Sequence, residues 1–276
     1  MSAHQIAVIG GGNMGRALVG GLLRRGIAPR SIAVGEPSGT ARASLEEEFG
    51  CAALADNEQA ISGAAVVVLA VKPQEAARVV APLRPRLIEL APVVLSVAAG
   101  IETRSLEAWC GAGVPVVRAM PNRPALVGAG ATGLFARPHV GASDRERAET
   151  VMRAVGAVVW VSEESQLDLV TALSGSGPAY FFLLAETMMQ AAARRGLDPE
   201  AARVLAIETL HGAGALAHAS GDLARLRAEV TSKGGTTEAA LRVFGAEEAM
   251  SELVQRAIDA AAQRGRELAR QFGASD

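Results

Sequence analysis

Up to about Val161 the chain repeats one pattern and beyond Ser162 it abandons it, which constrains the fold more than any other feature of the sequence. The runs "IAVIG" (Ile6–Gly10), "SIAVGE" (Ser31–Glu36), "AVVVLAV" (Ala65–Val71), "VVLSVAAG" (Val93–Gly100) and "VPVVRAM" (Val114–Met120) are apolar stretches of strand length. Strands buried on both faces read in this continuous way. Between them, residues 13–26, 38–50 and 73–90 carry helical periodicity, with Gly26 and Gly50 as C-terminal stops. Strand and helix in alternation predict an α/β fold built on a parallel, doubly wound sheet. After the change, residues 168–197, 198–221 and 246–272 read as Ala- and Leu-rich helices with apolar faces. The expected division is therefore 1–162, α/β, and 163–276, all-helical.

Half of the 276 residues are hydrophobic, and the formal net charge is -2 with arginines interspersed among glutamates. Neither disorder nor a polyanion-binding surface is indicated, so nucleic acid is not expected as a partner. Cys51 and Cys110 have neither metal-site nor redox spacing; they read as buried small hydrophobes in a reducing, cytoplasmic setting. The start "MSAHQIAVIGGG" lacks the basic and apolar regions of a secretory signal, and no uncharged apolar run reaches about 18 residues, so no membrane span is expected. His4, His139, His211 and His218 are scattered without a matching carboxylate or thiol pattern, and no metal is expected. A helical half this small and this apolar cannot cover its own faces well. Shared burial between two copies of the chain is the expected solution.

The first strand runs straight into Gly10-Gly11-Gly12-Asn13-Met14-Gly15 and then a helix. Gly10, Gly12 and Gly15 occupy the three positions of a dinucleotide fingerprint: a tight turn, close approach of backbone to a diphosphate, and close packing of helix on strand. The diphosphate would sit on the helix N-terminus, where unpaired N–H groups and the macrodipole favour negative charge. At the end of the second strand, Glu36 can accept hydrogen bonds from a ribose diol and would repel a 2'-phosphate, which tilts the expectation from NADPH toward NADH. Arg42, one helical turn on, could offset part of that repulsion. As a plain structural residue Glu36 would be a solvated turn position. A methyltransferase would also use a glycine-rich first turn.

Three further stretches fall at carboxyl ends of strands, where doubly wound sheets bind ligands: "VLAVKPQ" (Val68–Gln74), "SVAAG" (Ser96–Gly100) and "RAMPNRPA" (Arg118–Ala125). Two others lie in the helical half. "LSGSGPAY" (Leu173–Tyr180) opens a long helix, where Gly175 and Gly177 permit close backbone approach, Ser176 can cap and Pro178 suits the first turn. "SKGGTT" (Ser232–Thr237) interrupts helical sequence, with Gly234 and Gly235 uncovering backbone ahead of Thr236 and Thr237. It reads as a helix start whose free N–H groups can receive a carboxylate.

Together and in this order, "GGGNMG", "VKP", "SVAAG", "AMPN", "LSGSGPAY" and "SKGGTT" resemble the pyrroline-5-carboxylate reductase family over essentially the whole chain. The resemblance implies a Rossmann-like domain, a helical dimerisation domain, and reduction of a cyclic imine to L-proline with NADPH or NADH. It implies that Val71, Lys72 and Pro73, Ala98, Ala99 and Gly100, and Met120, Pro121 and Asn122 line the nicotinamide side. Asn57 would contact the adenosine side, and Asn13, Met14 and Ser38 are further expected cofactor-binding residues. Taken singly, Pro73 is equally a helix N1 residue, Lys72 a solvated cap and Asn122 a turn former. Thr237 and, less strongly, Ser176 are the expected catalytic contacts. Ser232, Gly234, Gly235 and Thr236 would join Thr237 around the substrate, held between nicotinamide and helical domain with help from a partner subunit. Hydride addition to a protonated C=N needs no metal. The sequence departs from the family where Lys233 stands in place of the usual proline before the glycine pair, and at about Leu223, where another proline is usual. Lys233 is expected to face solvent. The minimal unit is expected to be a homodimer, with a higher homo-oligomer left open. The rivals are a reductase of another cyclic imine or of a β-hydroxy acid, and a non-enzymatic NAD(P)H sensor. The sequence offers no early lysine acid/base for the hydroxy acid.

Overall fold

The computed structural model describes residues 5–273, so His4 lies outside the described part. The chain forms two compact units, one running to Gly175 and taking up the chain again from Ala261, the other spanning Ser176–Ala260.

The first unit holds eight strands: β1 (Ile6–Ile9), β2 (Ile32–Gly35), β3 (Ala52–Leu54), β4 (Val66–Leu69), β5 (Val93–Ser96), β6 (Val116–Met120), β7 (Gly130–Ala136) and β8 (Gly156–Trp160). They form one sheet in the order β3-β2-β1-β4-β5-β6-β7-β8. Its helices are α1 (Asn13–Arg24), α2 (Gly39–Phe49), α3 (Asn57–Ala60), α4 (Pro73–Val80), α5 (Arg84–Leu90), α6 (Thr103–Cys110), α7 (Ala142–Arg153) and α8 (Gln166–Val170). Strands β1, β2, β4 and β5 are buried at every position, as their unbroken apolar sequences require. Alternate residues feed two cores: Val8, Val34 and Val68 face one side with Leu18 and Leu22 of α1, while Ala7, Ala33 and Val67 face the other with Leu87 and Leu106. Each such fully buried Val or Leu contributes roughly 1.5–3 kcal/mol. Cys51 and Cys110 are buried as expected, and burial pushes the Cys110 thiol up to about 12, which leaves it inert.

Two features differ from the expectation. Every neighbouring pair in the sheet is parallel except β6–β7, which is antiparallel, Val117 opposite Ala136 and Met120 opposite Gly133. The connection, Pro121–Ala129, is shorter than the dozen or so residues a parallel crossover needs, so the chain turns straight back. The glycine-rich "GATGLFA" of β7 carries little strand signal of its own. The stretch expected as one helix over residues 73–90 is split into α4 and α5 by a 3₁₀ turn at Ala81–Leu83. Pro82 and Pro85 lack the N–H that an uninterrupted helix would use, and their rings crowd the preceding turn.

The second unit consists of α9 (Gly177–Ala193), α10 (Pro199–Ser220), α11 (Leu223–Glu229), α12 (Thr236–Phe244) and the first part of α13 (Ala249–Gly273). Helices α9 and α10 form a hairpin, and Asp198 caps α10 by accepting the Ala201 N–H at 3.0 Å. Gly221, in the left-handed region at φ 73°, ends α10.

Candidate functional site

The order β3-β2-β1-β4 reverses direction between β1 and β4, the switch point at which doubly wound sheets bind nucleotides. A cleft of about 680 Å³ opens there. Its walls include Gly10 and Gly12 after β1, Glu36 after β2, Asn57 at the start of α3, and Val71 and Lys72 after β4.

The floor is backbone. Gly10 has φ 108°, and a Cβ on it would lie 2.5 Å from the Ala70 carbonyl oxygen. A Cβ on Gly15 would overlap the Gly10 carbonyl oxygen, so α1 can pack this close to β1 only with glycine there. Gly12 is the N-cap of α1 without a side-chain cap, and the N–H groups of Gly12, Asn13, Met14 and Gly15 have no acceptor among the described residues. A backbone-only helix N-terminus of this kind is an anion cradle. A Cβ on Gly12 would meet nothing within 4 Å, so the space before the cradle is open. The residues present therefore fit a dinucleotide diphosphate.

The Glu36 carboxylate closes one side. Its Oε2 accepts the Gly11 N–H at 3.0 Å and its Oε1 the Ser38 N–H at 2.9 Å, while Ser38 caps α2 through its hydroxyl. Gly11, which did not stand out in the sequence, is thus what ties the glycine loop to the end of β2. Arg42 does not reach over the cleft: its guanidinium donates to the Glu36 and Pro37 carbonyl oxygens at 2.9 and 2.8 Å.

The remaining expected cofactor residues do not line this cleft. Pro73 is the N1 residue of α4, with Lys72 as its N-cap. Ala98, Ala99 and Gly100 follow β5, and Met120, Pro121 and Asn122 end β6, so both groups lie along the same carboxyl edge of the sheet. Asn122 is buried and both ends of its amide are engaged, Nδ2 donating to the Ser174 carbonyl oxygen and Oδ1 accepting the Ala131 N–H, each at 2.9 Å. Ser174 belongs to a π-helical turn, Thr171–Gly175, and the methyl end of Met120 would lie 2.9 Å from a Cβ on Gly175. Ser176 sits at the N-cap of α9 but makes no side-chain cap, contrary to the expectation, because its backbone is already helical (φ -84°, ψ -26°).

In the second unit the "SKGGTT" stretch forms a helix start as expected. Gly234 has φ 75°, the Gly235 N–H donates to the Ser232 carbonyl oxygen at 3.0 Å, and a Cβ on Gly235 would overlap the Ser232 hydroxyl. Glu238 reaches back to accept the Gly234 N–H at 2.7 Å. The N–H groups of Thr236, Thr237 and Glu238 have no acceptor among the described residues. Lys233 is exposed.

A doubly wound sheet with a glycine cradle at its switch point, joined to a helical domain, defines a dinucleotide-binding protein of the Rossmann class. Residues 5–100 match a family model described as NADP oxidoreductase, coenzyme F420-dependent, and residues 164–268 match one described as pyrroline-5-carboxylate reductase dimerisation. The chain is 45% identical over 274 residues to a pyrroline-5-carboxylate reductase from Pseudomonas aeruginosa, covering 99% of this chain and 100% of the relative. It is 42% identical to the one from Vibrio alginolyticus, covering 99% and 100%. Among solved structures, a pyrroline-5-carboxylate reductase from Coxiella burnetii superposes with a TM-score of 0.92 at 43% identity, covering 97% of this chain and 99% of that one. One from Plasmodium falciparum with NADP bound gives 0.81 at 25% identity, covering 98% and 99%. The chain belongs to the pyrroline-5-carboxylate reductase family.

Proposed function

We propose that the protein is a pyrroline-5-carboxylate reductase, transferring hydride from NADH or NADPH to the C=N bond of 1-pyrroline-5-carboxylate to give L-proline. The observation that carries this reading is similarity to reductases of that name along the whole chain, with the "GGGNMG" and "VKP" motifs on loops that build the cleft.

When bound, the reduced nicotinamide supplies the hydride and its electron pair. The chain's own residues supply binding and orientation. The free N–H groups at the start of α1 hold the diphosphate, and Glu36, Ser38 and Asn57 flank the adenosine side. Residues Val71–Pro73, Ala98–Gly100 and Met120–Asn122 are proposed for the nicotinamide side. The free N–H groups of Thr236 and Thr237 suit a carboxylate, and the Thr237 hydroxyl is proposed to bond the substrate nitrogen or carboxylate, with Ser232 and Ser176 in lesser roles. The iminium carbon accepts hydride while the ring nitrogen keeps its proton, so orientation and charge complementarity are the main demands on the protein.

The functional division is proposed to follow 1–162 for cofactor and 163–276 for substrate and dimerisation. The protein is proposed to be cytoplasmic and a homodimer at least, with neither nucleic acid nor membrane as partner. The test is oxidation of NADH and NADPH followed with pyrroline-5-carboxylate and with its six-membered homologue. Turnover of the five-membered imine is expected, and none with either cofactor overturns the proposal. In the same assay Thr237→Ala is expected to lower kcat/KM by more than about twofold, and a smaller loss removes Thr237 from the site.

A further inference from the structure

We infer that the cleft selects a dinucleotide with a free ribose 2'-hydroxyl over one with a 2'-phosphate, and that Glu36 makes the selection. The inference rests on the reductase reading and on the wall of the cleft that follows β2.

That wall is lined by acceptors. Both Glu36 oxygens are oriented by backbone N–H groups, from Gly11 and Ser38, so the carboxylate is held in one place with lone pairs to spare. Asn57 also lines the cleft, and its Oδ1, set against Gly35, is buried without a hydrogen-bond partner among the described residues. That atom is enclosed by protein, so the acceptor a ribose meets on this wall is the Glu36 carboxylate. A ribose diol brings two O–H donors to such a wall. A 2'-phosphate brings a doubly charged group with acceptor oxygens only, against a fixed carboxylate.

The cations nearby do not rescue the phosphate. Arg42 spends its guanidinium on the Glu36 and Pro37 carbonyl oxygens and clamps the β2–α2 turn. Lys72 and Arg78 line the cleft from the α4 wall, after β4, whereas the ribose of a dinucleotide lies at the end of β2. Arg78 is moreover ion-paired to Glu75.

The experiment is a fluorescence titration of the intact enzyme with NADH and with NADPH, repeated on Glu36→Gln. The expected result is about tenfold or tighter binding of NADH by the wild-type protein. In Glu36→Gln, which keeps the shape and one acceptor but loses the charge, that gap narrows mainly through tighter NADPH binding. Equal or tighter binding of NADPH by the wild-type enzyme overturns the inference while leaving the reductase reading intact, and so does a gap that Glu36→Gln leaves unchanged. Failure of both dinucleotides to bind overturns both.

Discussion

Two glycines of one loop, Gly12 and Gly15, separate folding from binding at the scale of single residues. A methyl group at Gly15 would overlap the Gly10 carbonyl oxygen and force α1 away from β1, whereas one at Gly12 would meet no protein atom within 4 Å. Gly12 has φ -73°, which alanine adopts without strain. Gly12→Ala is therefore expected to leave stability within about 0.5 kcal/mol of wild type, the range of a neutral surface change. It is expected to weaken dinucleotide binding about tenfold or more, because the space filled is where the diphosphate approaches the backbone. Gly15→Ala is expected to lose both. Thermal unfolding alongside a titration with NADH checks the pair, and a Gly12→Ala protein that binds normally would remove the cradle from the cofactor site. The spacing of these glycines was legible in the sequence because each serves one local turn. The bond from Gly11 to Glu36 was not, because it depends on where the end of β2 lands beside the loop, and the sequence carries no local mark of that. The side-chain partners of Asn122, Ser174 and Ala131, were illegible for the same reason, because tertiary packing sets them.

At the scale of elements, the parts that bury an apolar face on both sides were legible from their runs, and those that depend on a short connection or a buried charge were not. The start of α8 illustrates the second kind. Glu164 just before it accepts from the Arg118 guanidinium at 2.9 Å and from the Thr103 N–H and hydroxyl, each at 2.7 Å, fastening α8 to β6 and α6. Asp168, one turn on, has no hydrogen-bond or ion-pair partner of this kind among the described residues. Burial pushes its carboxyl above the usual value of 3.8; Arg118 and Arg266 pull it down and Glu164 adds to the rise. A carboxyl whose folded pKa is raised binds protons more readily in the native state than in the unfolded one, so stability is lost as pH rises from 3.8 through the folded pKa and the penalty stays constant above it. Asp168→Asn removes the ionisation. Relative to wild type it is expected to raise the urea midpoint at about pH 7, and the advantage is expected to vanish as the pH falls to 3.8 or below. An advantage that persists unchanged at the acid end would mean that packing, not charge, is responsible.

At the scale of the whole molecule, the helical unit cannot be understood as one chain in water. Phe181, Phe182 and Leu183 follow one another on α9 and are 60%, 58% and 63% exposed, and Leu205 and Leu216 of α10 are 57% and 59% exposed. By length and composition alone the helical run Gln166–Ala193 would suit a membrane, yet residues 164–268 match a dimerisation domain, and an apolar face buried in a second copy has the same composition. Each phenylalanine covered in this way contributes roughly 1.5–3 kcal/mol, so a few of them decide association. Sedimentation at micromolar concentration is expected to show a dimer or a larger assembly, and the unfolding midpoint is expected to fall on dilution, since mass action links assembly to stability. Phe182→Glu places a charge in that face and is expected to shift the population toward monomer, with loss of thermal stability in the helical unit. The cofactor cleft is built wholly from the first unit, so NADH binding by the Phe182→Glu monomer is expected to stay close to wild type while turnover falls. Turnover that survives in a proven monomer would show that the partner subunit contributes nothing to the reaction.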